Sequence, residues 1–441
     1  MKYYKRYIDS ELLKWKNSET HKPLLLRGAR QVGKSSAVKN LAKSFKYYIE
    51  INFERQNEIS DIFSKGYDIQ KICNLLSIIF NTPINDGETL IFFDEIQKCI
   101  PAISSLRFFY EDKPNLHVIG AGSLLEFALN EIPSFGVGRI HSLFMYPFSF
   151  DEFLIAQGFE NLVNEKHDAS PQNPLPNILH NKLVEEFKNF ILVGGMPEVV
   201  SIWIKSQNYF DCQNIHSEII QSYQDDFAKY KKRISPLILQ KTFLSVGMQT
   251  GSKFTYSQID TNIDTSKAKE AINLLTLAGI IIPVTHTCAN GIPLGAQINE
   301  KFQKYLFIDS GLMLTMLGTD LSKFVLANEV ELVNKGGVAE LVAGLELLKN
   351  LNCNRRQNLY YWQRLQRGAQ SEIDYVIANK DQVLPIEIKA GTKGSMQSLY
   401  IFLEEKKLEY GIRSSLENFA EYNKVKVIPL YEIGRLGIIN N

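Results

Sequence analysis

The chain has 441 residues, enough for several domains of about 100–200 residues each. Apolar residues make up 45% and charged residues 22%, which is typical of a soluble globular protein. The formal net charge of +1 excludes a chain-wide basic surface, so any contact with nucleic acid requires a local patch.

The cysteines are scattered and never spaced as Cys-x-x-Cys, which argues against a disulfide framework and a structural zinc site. This usage is typical of a reducing cytosol. The N-terminus has no apolar signal segment, and the apolar runs are far shorter than the ~20 residues of a membrane span. We therefore expect a cytoplasmic protein without a transmembrane segment, with a peripheral membrane role left open.

The first third of the chain alternates between apolar runs and helical stretches, after an amphipathic helix expected within residues 1–20. The apolar runs are Leu24–Leu26, Tyr47–Phe53, Leu90–Phe93 and His117–Ile119. Strands that alternate with helices indicate βαβ units. The pattern predicts an α/β fold with a parallel sheet covered by helices on both faces.

The rest of the chain is less regular. Residues 161–180 are polar and rich in proline, which predicts an exposed loop or linker. Residues 181–235 have a helical pattern, interrupted at Gly194–Pro197. Short helices and hairpin material follow in residues 237–300, and from residue 335 the order is helix, three strands, then mixed elements.

Residues Gly28–Ser35 fit the phosphate-loop pattern GxxxxGK[ST], between a buried strand and an amphipathic helix. The glycines let the backbone wrap around phosphates, and the amides and helix N-terminus point at the negative charge. The predicted nucleotide-binding residues are Gly28, Ala29, Arg30, Gln31, Val32, Gly33, Lys34, Ser35 and Ser36.

A second motif supports the first. Leu90–Phe93 is an apolar strand that ends in Asp94 and Glu95. In a parallel sheet these acids lie at the carboxyl edge, beside the phosphate loop. We predict ATP and Mg²⁺ as ligands, with Lys34 neutralising the β- and γ-phosphates, Ser35 and Asp94 holding the metal, and Glu95 polarising the attacking water.

Two further residues have open roles. Ser123 follows the strand at His117–Ile119, and it is either a sensor of the γ-phosphate or a plain helix N-cap. Arg139 precedes the next strand, and it is either an arginine finger, in cis or in trans, or a solvated surface arginine. A finger in trans would imply a homo-oligomer.

The middle of the chain has helix-turn-helix spacing, with a short element at Phe254–Ile259 and a longer helix at Ser266–Ala278. Ile280–Val284 and Leu294–Ile298 are the expected strands of a wing. Lys267 and Lys269 on the longer helix are candidates for DNA contact. Because that basic surface is thin, a winged helix used only for packing is the favoured alternative.

The C-terminal region carries a third constellation. Glu340 lies in an expected helix, Asp374 in a strand, and Glu387 and Lys389 on one face of the next strand. This order resembles the PD-(D/E)XK nuclease core, in which acids hold Mg²⁺ and a lysine activates water. The alternative is a retained fold with a structural charge cluster.

Several motifs together resemble the bacterial and archaeal AAA-type ATPases that carry a C-terminal domain of unknown function. They are Arg27–Ser35, Asp94–Gln97, Gly138-Arg139 leading to Pro147–Phe153, and Gly194–Glu198. The resemblance implies an AAA+ P-loop ATPase domain, a helical and winged-helix middle, and a nuclease-like C-terminal core. It names no substrate.

We therefore expect an ATPase domain at residues 1–160, a helical linker at 161–235, a winged-helix-like domain at 236–330 and a nuclease-like domain at 331–441. The predicted function is a Mg-dependent ATPase that acts as a switch or motor for its C-terminal domain. The alternatives are an ATP-regulated nuclease and a DNA- or protein-binding module that uses ATP as a conformational ligand. ATP and ADP are the predicted small-molecule partners, and DNA or a protein could bind through the winged-helix and C-terminal domains.

Overall fold

A computed structural model describes residues 2–64, 66, 68–132, 138–231, 233–318, 336–364, 371–391 and 394–438. The chain divides into two compact units. The first comprises Met1–Tyr146, Leu277–Gly279 and Cys353–Arg356, and the second comprises Pro147–Thr276, Ile280–Asn352 and Gln357–Asn441. The predicted domain boundary at residues 330–331 lies outside the described residues.

The first unit alternates strands and helices, as the apolar runs predict. In chain order its elements are α1 (Tyr7–Lys16), β1 (Leu24–Arg27), α2 (Lys34–Ala42), β2 (Tyr47–Asn52), α3 (Ser60–Ser64), α4 (Ile69–Ile79), β3 (Thr89–Asp94), α5 (Ile100–Asp112), β4 (His117–Ala121), α6 (Leu125–Glu131) and β5 (His141–Phe144).

The strands of this unit form a parallel sheet in the order β2-β3-β4-β1-β5. Every residue of β3 is buried, and Ile91 and Phe93 belong to a core that also contains Phe53, Phe63 and Phe109. The predicted α/β class with a parallel sheet is confirmed. Because the strands are parallel, the residues that follow β1, β3 and β4 meet at one edge of the sheet.

The second unit begins with helices and ends with a mixed sheet. Its elements are α7 (Phe150–Ala156), α8 (Glu160–Asp168), α9 (Asn177–Val193), α10 (Pro197–Ser206), α11 (Tyr209–Phe227), α12 (Pro236–Met248), α13 (Thr265–Leu277, whose last residue belongs to the first unit), β6 (Ile281–Thr287), β7 (Ile298–Phe307), α14 (Ser310–Met316), α15 (Gly336–Lys349), β8 (Leu359–Gln363), β9 (Glu372–Asn379), β10 (Gln382–Ile388), α16 (Gln397–Lys406), β11 (Gly411–Ser415), β12 (Ala420–Tyr422), β13 (Val425–Pro429) and α17 (Arg435–Ile438).

The strands of the second unit join in one sheet in the order β12-β13-β11-β10-β9-β8-β6-β7. The antiparallel hairpin of β6 and β7 is part of this sheet, because β6 pairs in parallel with β8. The segment that the sequence suggests as a wing therefore extends the same sheet that carries the C-terminal strands. This arrangement brings side chains of β7 into one structure with those of β9 and β10.

The polar stretch at residues 161–180 is only partly a loop. Residues Glu160–Asp168 form α8, and α9 begins at Asn177, so the loop prediction is wrong at both ends of the stretch. The helix buries Val163 and also Lys166, which is 2% exposed. Lys166 pairs with Asp151 and Glu432. A lysine buried by ion pairing leaves no apolar pattern in the sequence, and this is why the segment looks solvated.

The helix-turn-helix segment differs from the expectation in detail. Its first element is a single 3₁₀ turn at Tyr256–Gln258, and the longer helix is α13. Leu294–Gln297 forms another 3₁₀ turn, and the second strand of the hairpin, β7, begins at Ile298. The prediction of a wing strand at Leu294–Ile298 is therefore wrong, because the strand begins only at Ile298.

The Gly-Gly-Met-Pro element between α9 and α10 has a packing role. Gly194 has φ 70°, and a Cβ atom there would lie 2.1 Å from Oδ1 of Asp309. The amide of Gly195 donates to Oδ2 of Asp309 at 2.6 Å, and Oδ1 accepts from the amide of Leu312 at 3.0 Å. Gly194 thus leaves room for a buried carboxylate that joins the end of α9 to the start of α14.

None of the helices within the described ranges has both the length and the apolar character needed to cross a membrane.

Candidate active site

The phosphate loop lies between β1 and α2 and needs glycine at two places. Gly28 has φ 145°, and a Cβ atom there would lie 2.1 Å from the carbonyl oxygen of Met145. Gly33, with φ 97°, immediately precedes α2. Gln31 is the one non-glycine residue of the loop with a positive φ, 65°. The loop thus holds a conformation that presents the N-terminus of α2, a favourable place for phosphate.

The other loop residues fill defined places. Ala29 and Val32 are buried, Arg30 is half-buried, and Gln31 and Ser36 are exposed. The Val32 carbonyl accepts a hydrogen bond at 3.3 Å from the guanidinium of Arg6, which also donates to the Tyr146 carbonyl at 2.8 Å. The sequence does not predict this role of Arg6, because an arginine that precedes a surface helix gives no sign that it supports a loop.

Lys34 is the first residue of α2, and its ammonium points back at the loop. It donates to the carbonyl oxygens of Gly28 at 2.8 Å and Ala29 at 2.7 Å. Burial lowers the pKa of Lys34 to about 8, and the carboxylates of Glu95 and Asp94 oppose that shift. A partly desolvated ammonium beside the loop amides is suited to pair with phosphate oxygens.

Ser35 and Asp94 meet at the carboxyl edge of the sheet. The Ser35 hydroxyl donates to Oδ1 of Asp94 at 3.0 Å, and the Asn52 amide donates to Oδ2 at 3.1 Å. Burial raises the pKa of Asp94, while these two hydrogen bonds favour its ionised form. Asn52 was missed, although it ends the strand next to β3 and pairs with Asp94 in the sheet register.

Glu95 and Ser123 also come together. Oε2 of Glu95 accepts from the Gln97 amide at 2.5 Å and from the Ser123 hydroxyl at 3.3 Å. The N-cap residue of α6 is Leu124, without a side-chain capping bond, so Ser123 does not have the capping role. Gln97 is part of the motif that carries the family resemblance, but the sequence does not predict its hydrogen bond to Glu95.

The donor set fits the expected metal. Mg²⁺ prefers oxygen ligands, usually one or two from protein side chains, with water and substrate phosphates completing its shell. The hydroxyl of Ser35 and the carboxylate of Asp94 are such donors, and they already lie within hydrogen-bond distance of each other. Asn52 fixes the second carboxylate oxygen. These residues are the candidates for holding Mg²⁺ beside bound nucleotide.

Arg139 lies away from this cluster in its own chain. It precedes β5, and β5 runs parallel to β1 with His141 beside Leu24. Arg139 is therefore at the amino edge of the sheet, opposite the phosphate loop. Its Nε lies 2.5 Å from Oε1 of Glu111, near the C-terminus of α5. The geometry does not support a finger in cis, and a finger in trans stays a prediction.

The lysines suggested for DNA contact are exposed on α13. Lys267 and Lys269 both face solvent, while the neighbouring Glu270 lies 3.3 Å from Arg233. The ammonium of Lys269 also lies 6.0 Å from the ring centroid of Tyr256. DNA contact by this helix stays a prediction.

Two acids of the C-terminal constellation, Glu340 and Glu387, are buried, and Asp374 is half-buried. Glu340 is on α15, Asp374 on β9 and Glu387 on β10. Oδ2 of Asp374 accepts from the Ile388 amide at 2.7 Å, and Oε1 of Glu387 lies 2.6 Å from Nζ of Lys389. Burial, and next the Asp374 carboxylate, raises the pKa of Glu387.

Two further charges belong to this cluster, and the sequence analysis did not assign them to it. Lys304 of β7 lies 2.7 Å from Glu340 and 2.5 Å from Glu372. Within the described residues, no three His, Cys, Asp or Glu side chains gather as a ligand set for a metal ion.

Family comparisons match three successive parts of the chain. Residues 20–154 match the model of an AAA domain, residues 184–323 that of a domain of unknown function (DUF8612), and residues 335–433 that of another (DUF4143). The sheet and the phosphate loop agree with the first match. Residues 20–154 are thus an AAA-type P-loop ATPase domain. Comparison with curated proteins gives no match.

Several solved structures are similar to the chain. The Walker-type ATPase Paby2304 of Pyrococcus abyssi is 17% identical, with 71% of this chain and 96% of that chain covered and a TM-score of 0.46. The Aeropyrum pernix ORC1 protein in complex with DNA is 12% identical, covering 72% and 92%, with a TM-score of 0.28. The Thermotoga maritima RuvB Holliday junction branch migration motor is 13% identical, covering 63% and 89%, with a TM-score of 0.29. At these values the likeness says nothing about substrates or partners.

Proposed function

We propose that this protein is a magnesium-dependent ATP hydrolase whose nucleotide cycle acts as a switch on the rest of the chain. The observation that carries the proposal is that two hydrogen-bonded serine–carboxylate pairs lie at the same edge of the sheet. Ser35 contacts Asp94 at 3.0 Å, and Ser123 contacts the adjacent Glu95 at 3.3 Å. A metal-binding pair beside a carboxylate that can act as a base is the arrangement that hydrolysis of a bound phosphate requires.

Binding relies on charge and backbone geometry. The loop amides and the N-terminus of α2 face the phosphates, and Lys34 contributes a positive charge from a buried position. In nucleotide binding the Lys34 ammonium exchanges the carbonyls of Gly28 and Ala29 for phosphate oxygens. Because it starts within the loop, this exchange needs little rearrangement of the side chain.

Glu95 is the proposed general base for hydrolysis. Its carboxylate accepts the proton of the attacking water, and Gln97 and Ser123 hold one of its oxygens, Oε2. Mg²⁺, when bound at Ser35 and Asp94, supplies positive charge that offsets the negative charge on the phosphates. Ser123 is also placed to sense whether a phosphate lies beside Glu95, because its hydroxyl donates to that carboxylate.

The proposed switch is supported by a segment of the chain that returns to the phosphate loop. Leu277–Gly279 belongs to the same compact unit as the phosphate loop. A Cβ atom at Gly279, which has φ 73°, would lie 3.4 Å from Cβ and from the backbone nitrogen of Ala29. The segment joins the end of α13 to β6, so a shift of the loop acts directly on the main chain between them. This contact supports a coupling of nucleotide state to the later part of the chain.

Substitution of Lys34 tests the proposal. We expect Lys34→Ala to weaken ATP binding by about 10- to 150-fold, because hydrogen bonds to charged groups contribute about 1.5–3 kcal/mol each. Phosphate release from Mg-ATP should fall to the background level. The matched control is Lys39→Ala on the same helix, whose ammonium is exposed and pairs with Glu50 at 3.0 Å.

Purified wild-type protein should release phosphate from ATP, and the Lys39→Ala variant should match it. Equal turnover by wild type and Lys34→Ala would show that this loop does not support hydrolysis.

A further inference from the structure

A lysine is buried among the acids of the second unit. Lys304 of β7 has a side chain that is 1% exposed, and its Nζ atom lies 2.7 Å from Oε1 of Glu340 and 2.5 Å from Oε1 of Glu372. The same ammonium lies 5.1 Å from the ring centroid of Tyr361. These neighbours hold one positive charge at the point where acids from α15 and β9 converge.

The acids around Lys304 outnumber it. Asp374 also interacts electrostatically with Lys304 and, together with Glu340 and Glu372, raises the pKa of the Lys304 ammonium against the effect of burial. Glu387 adds another carboxylate whose Oε2 atom is buried without a hydrogen-bond partner in the described parts of the chain. Lys389 lies 2.6 Å from Glu387 and offsets the charge of that carboxylate. The other carboxylates still require a cation, and the buried Lys304 ammonium supplies it.

The walls of the cluster fix Glu340 in place. The Tyr375 hydroxyl donates to the Glu340 carbonyl at 2.7 Å. A Cβ atom at Gly344 would lie 2.3 Å from the Tyr375 hydroxyl oxygen, and one at Gly251 would lie 3.2 Å from Oε2 of Glu340. The helix therefore packs tightly on β9 and on the turn after α12, and the carboxylate has little freedom to turn away from Lys304.

We propose that Lys304 is the resident cation of this cluster and takes the place that a divalent metal would need. The ammonium contacts Glu340, one of the acids that a nuclease-like centre would use, and it arrives from the β6–β7 hairpin rather than from the C-terminal strands. The cluster then joins the hairpin to α15 and β9 as an ion-paired centre. This inference is independent of the ATPase site.

Manganese binding to the full chain tests the proposal, with free Mn²⁺ followed by electron paramagnetic resonance in the absence of nucleotide. The variants are wild type, Glu340→Gln, Lys304→Met and the double variant Lys304→Met/Glu340→Gln. Lys301→Met is the matched control, because Lys301 lies on the same strand and is exposed. Any binding at Ser35 and Asp94 is common to all variants and cancels in the comparison.

We expect wild type, Glu340→Gln and Lys301→Met to bind Mn²⁺ equally. Lys304→Met should gain one Mn²⁺ per chain, and the double variant should lose it. The proposal is overturned if Glu340→Gln lowers the Mn²⁺ binding of the wild type, because the native cluster would then already hold metal. It is also overturned if Lys304→Met keeps its circular dichroism spectrum and gains no Mn²⁺. If Lys304→Met fails to fold, the Mn²⁺ binding of wild type and of Glu340→Gln still shows whether the native cluster holds a metal ion.

Discussion

Glu95 has a backbone conformation that few side chains adopt, with φ 49° and ψ 42°. The left-handed region is unfavourable for a residue with a Cβ atom, and such residues concentrate at functional sites. The turn follows directly on β3, and Glu95 there meets Gln97 and Ser123. The sequence predicts the acid pair, but the left-handed conformation of its second residue, Glu95, depends on packing that a single sequence does not display.

Gln97 is a positioning residue for Glu95. Its amide nitrogen lies 2.5 Å from Oε2 of Glu95, and its own Oε1 atom is buried without a partner in the described parts of the chain. We expect Gln97→Ala to lower kcat about tenfold or more, because a misplaced base loses alignment with the water. The Kd for ATP should be unchanged, since Gln97 contacts the acid rather than the loop.

Steady-state kinetics and nucleotide titration measure the two quantities separately. Gln70→Ala is the control, because Gln70 is exposed on α4 and bonds only its helix neighbour Asn74 among the contacts described. A Gln97→Ala variant with unchanged kcat would remove Gln97 from the mechanism.

At the scale of elements, regular apolar patterns predict the strands and helices, whereas buried charges do not. The apolar runs predict β1, β3 and β4 closely because these strands are buried on both faces. Helix α8 is not predicted, because the sequence does not distinguish its buried, ion-paired Lys166 from an exposed lysine. The β6–β7 hairpin was expected, but its place beside β8 depends on a long-range pairing that periodicity does not encode.

Lys166 provides a prediction on stability. Its ammonium lies 2.8 Å from Oδ1 of Asp151 and also pairs with Glu432, and all three side chains are buried. We expect Lys166→Met to lower the free energy of unfolding by about 3–5 kcal/mol, because it leaves two buried carboxylates without their cation. Lys182→Met should cost less than about 1 kcal/mol, because the Lys182 pair with Glu186 is partly exposed.

Urea unfolding of the full chain measures both effects, and a similar cost for the two variants would contradict this account. We expect acid pH to reduce the contribution of Asp151 to the free energy of unfolding, as Lys166→Met does. Burial opposes ionisation of Asp151, but Lys166 and His167 outweigh it, so the pKa of Asp151 lies below its usual value. The stabilisation is therefore present above about pH 4 and is lost as the pH falls below that value.

At the scale of the whole molecule, the chain returns twice to the ATPase unit, at Leu277–Gly279 and at Cys353–Arg356. Neither return could be predicted, because both are short and carry no motif. The amide of Phe144 donates to the Cys353 carbonyl at 2.9 Å, and Gly279 lies against Ala29. Through these non-covalent contacts the ATPase unit is linked to the main chain that continues into α13, β6, α15 and β8.

Hydrogen exchange tests that route. We expect Mg-ATP to change amide exchange in residues 274–284 of a Glu95→Gln variant, because Gly279 in this segment lies close to Ala29 of the phosphate loop. The Lys34→Ala variant should show no change with the same nucleotide. If the phosphate loop becomes protected while residues 274–284 exchange as before, the contact at Gly279 does not transmit the nucleotide state.

The most direct test of the central claim is the effect of Glu95→Gln on hydrolysis and on binding. We predict ATP binding within about threefold of wild type and turnover reduced by about 10²–10⁴, the usual contribution of a general base. The control, Glu54→Gln, changes an exposed acid near the same sheet edge and should behave like wild type. Wild-type turnover by Glu95→Gln would contradict the assignment of Glu95 as the base.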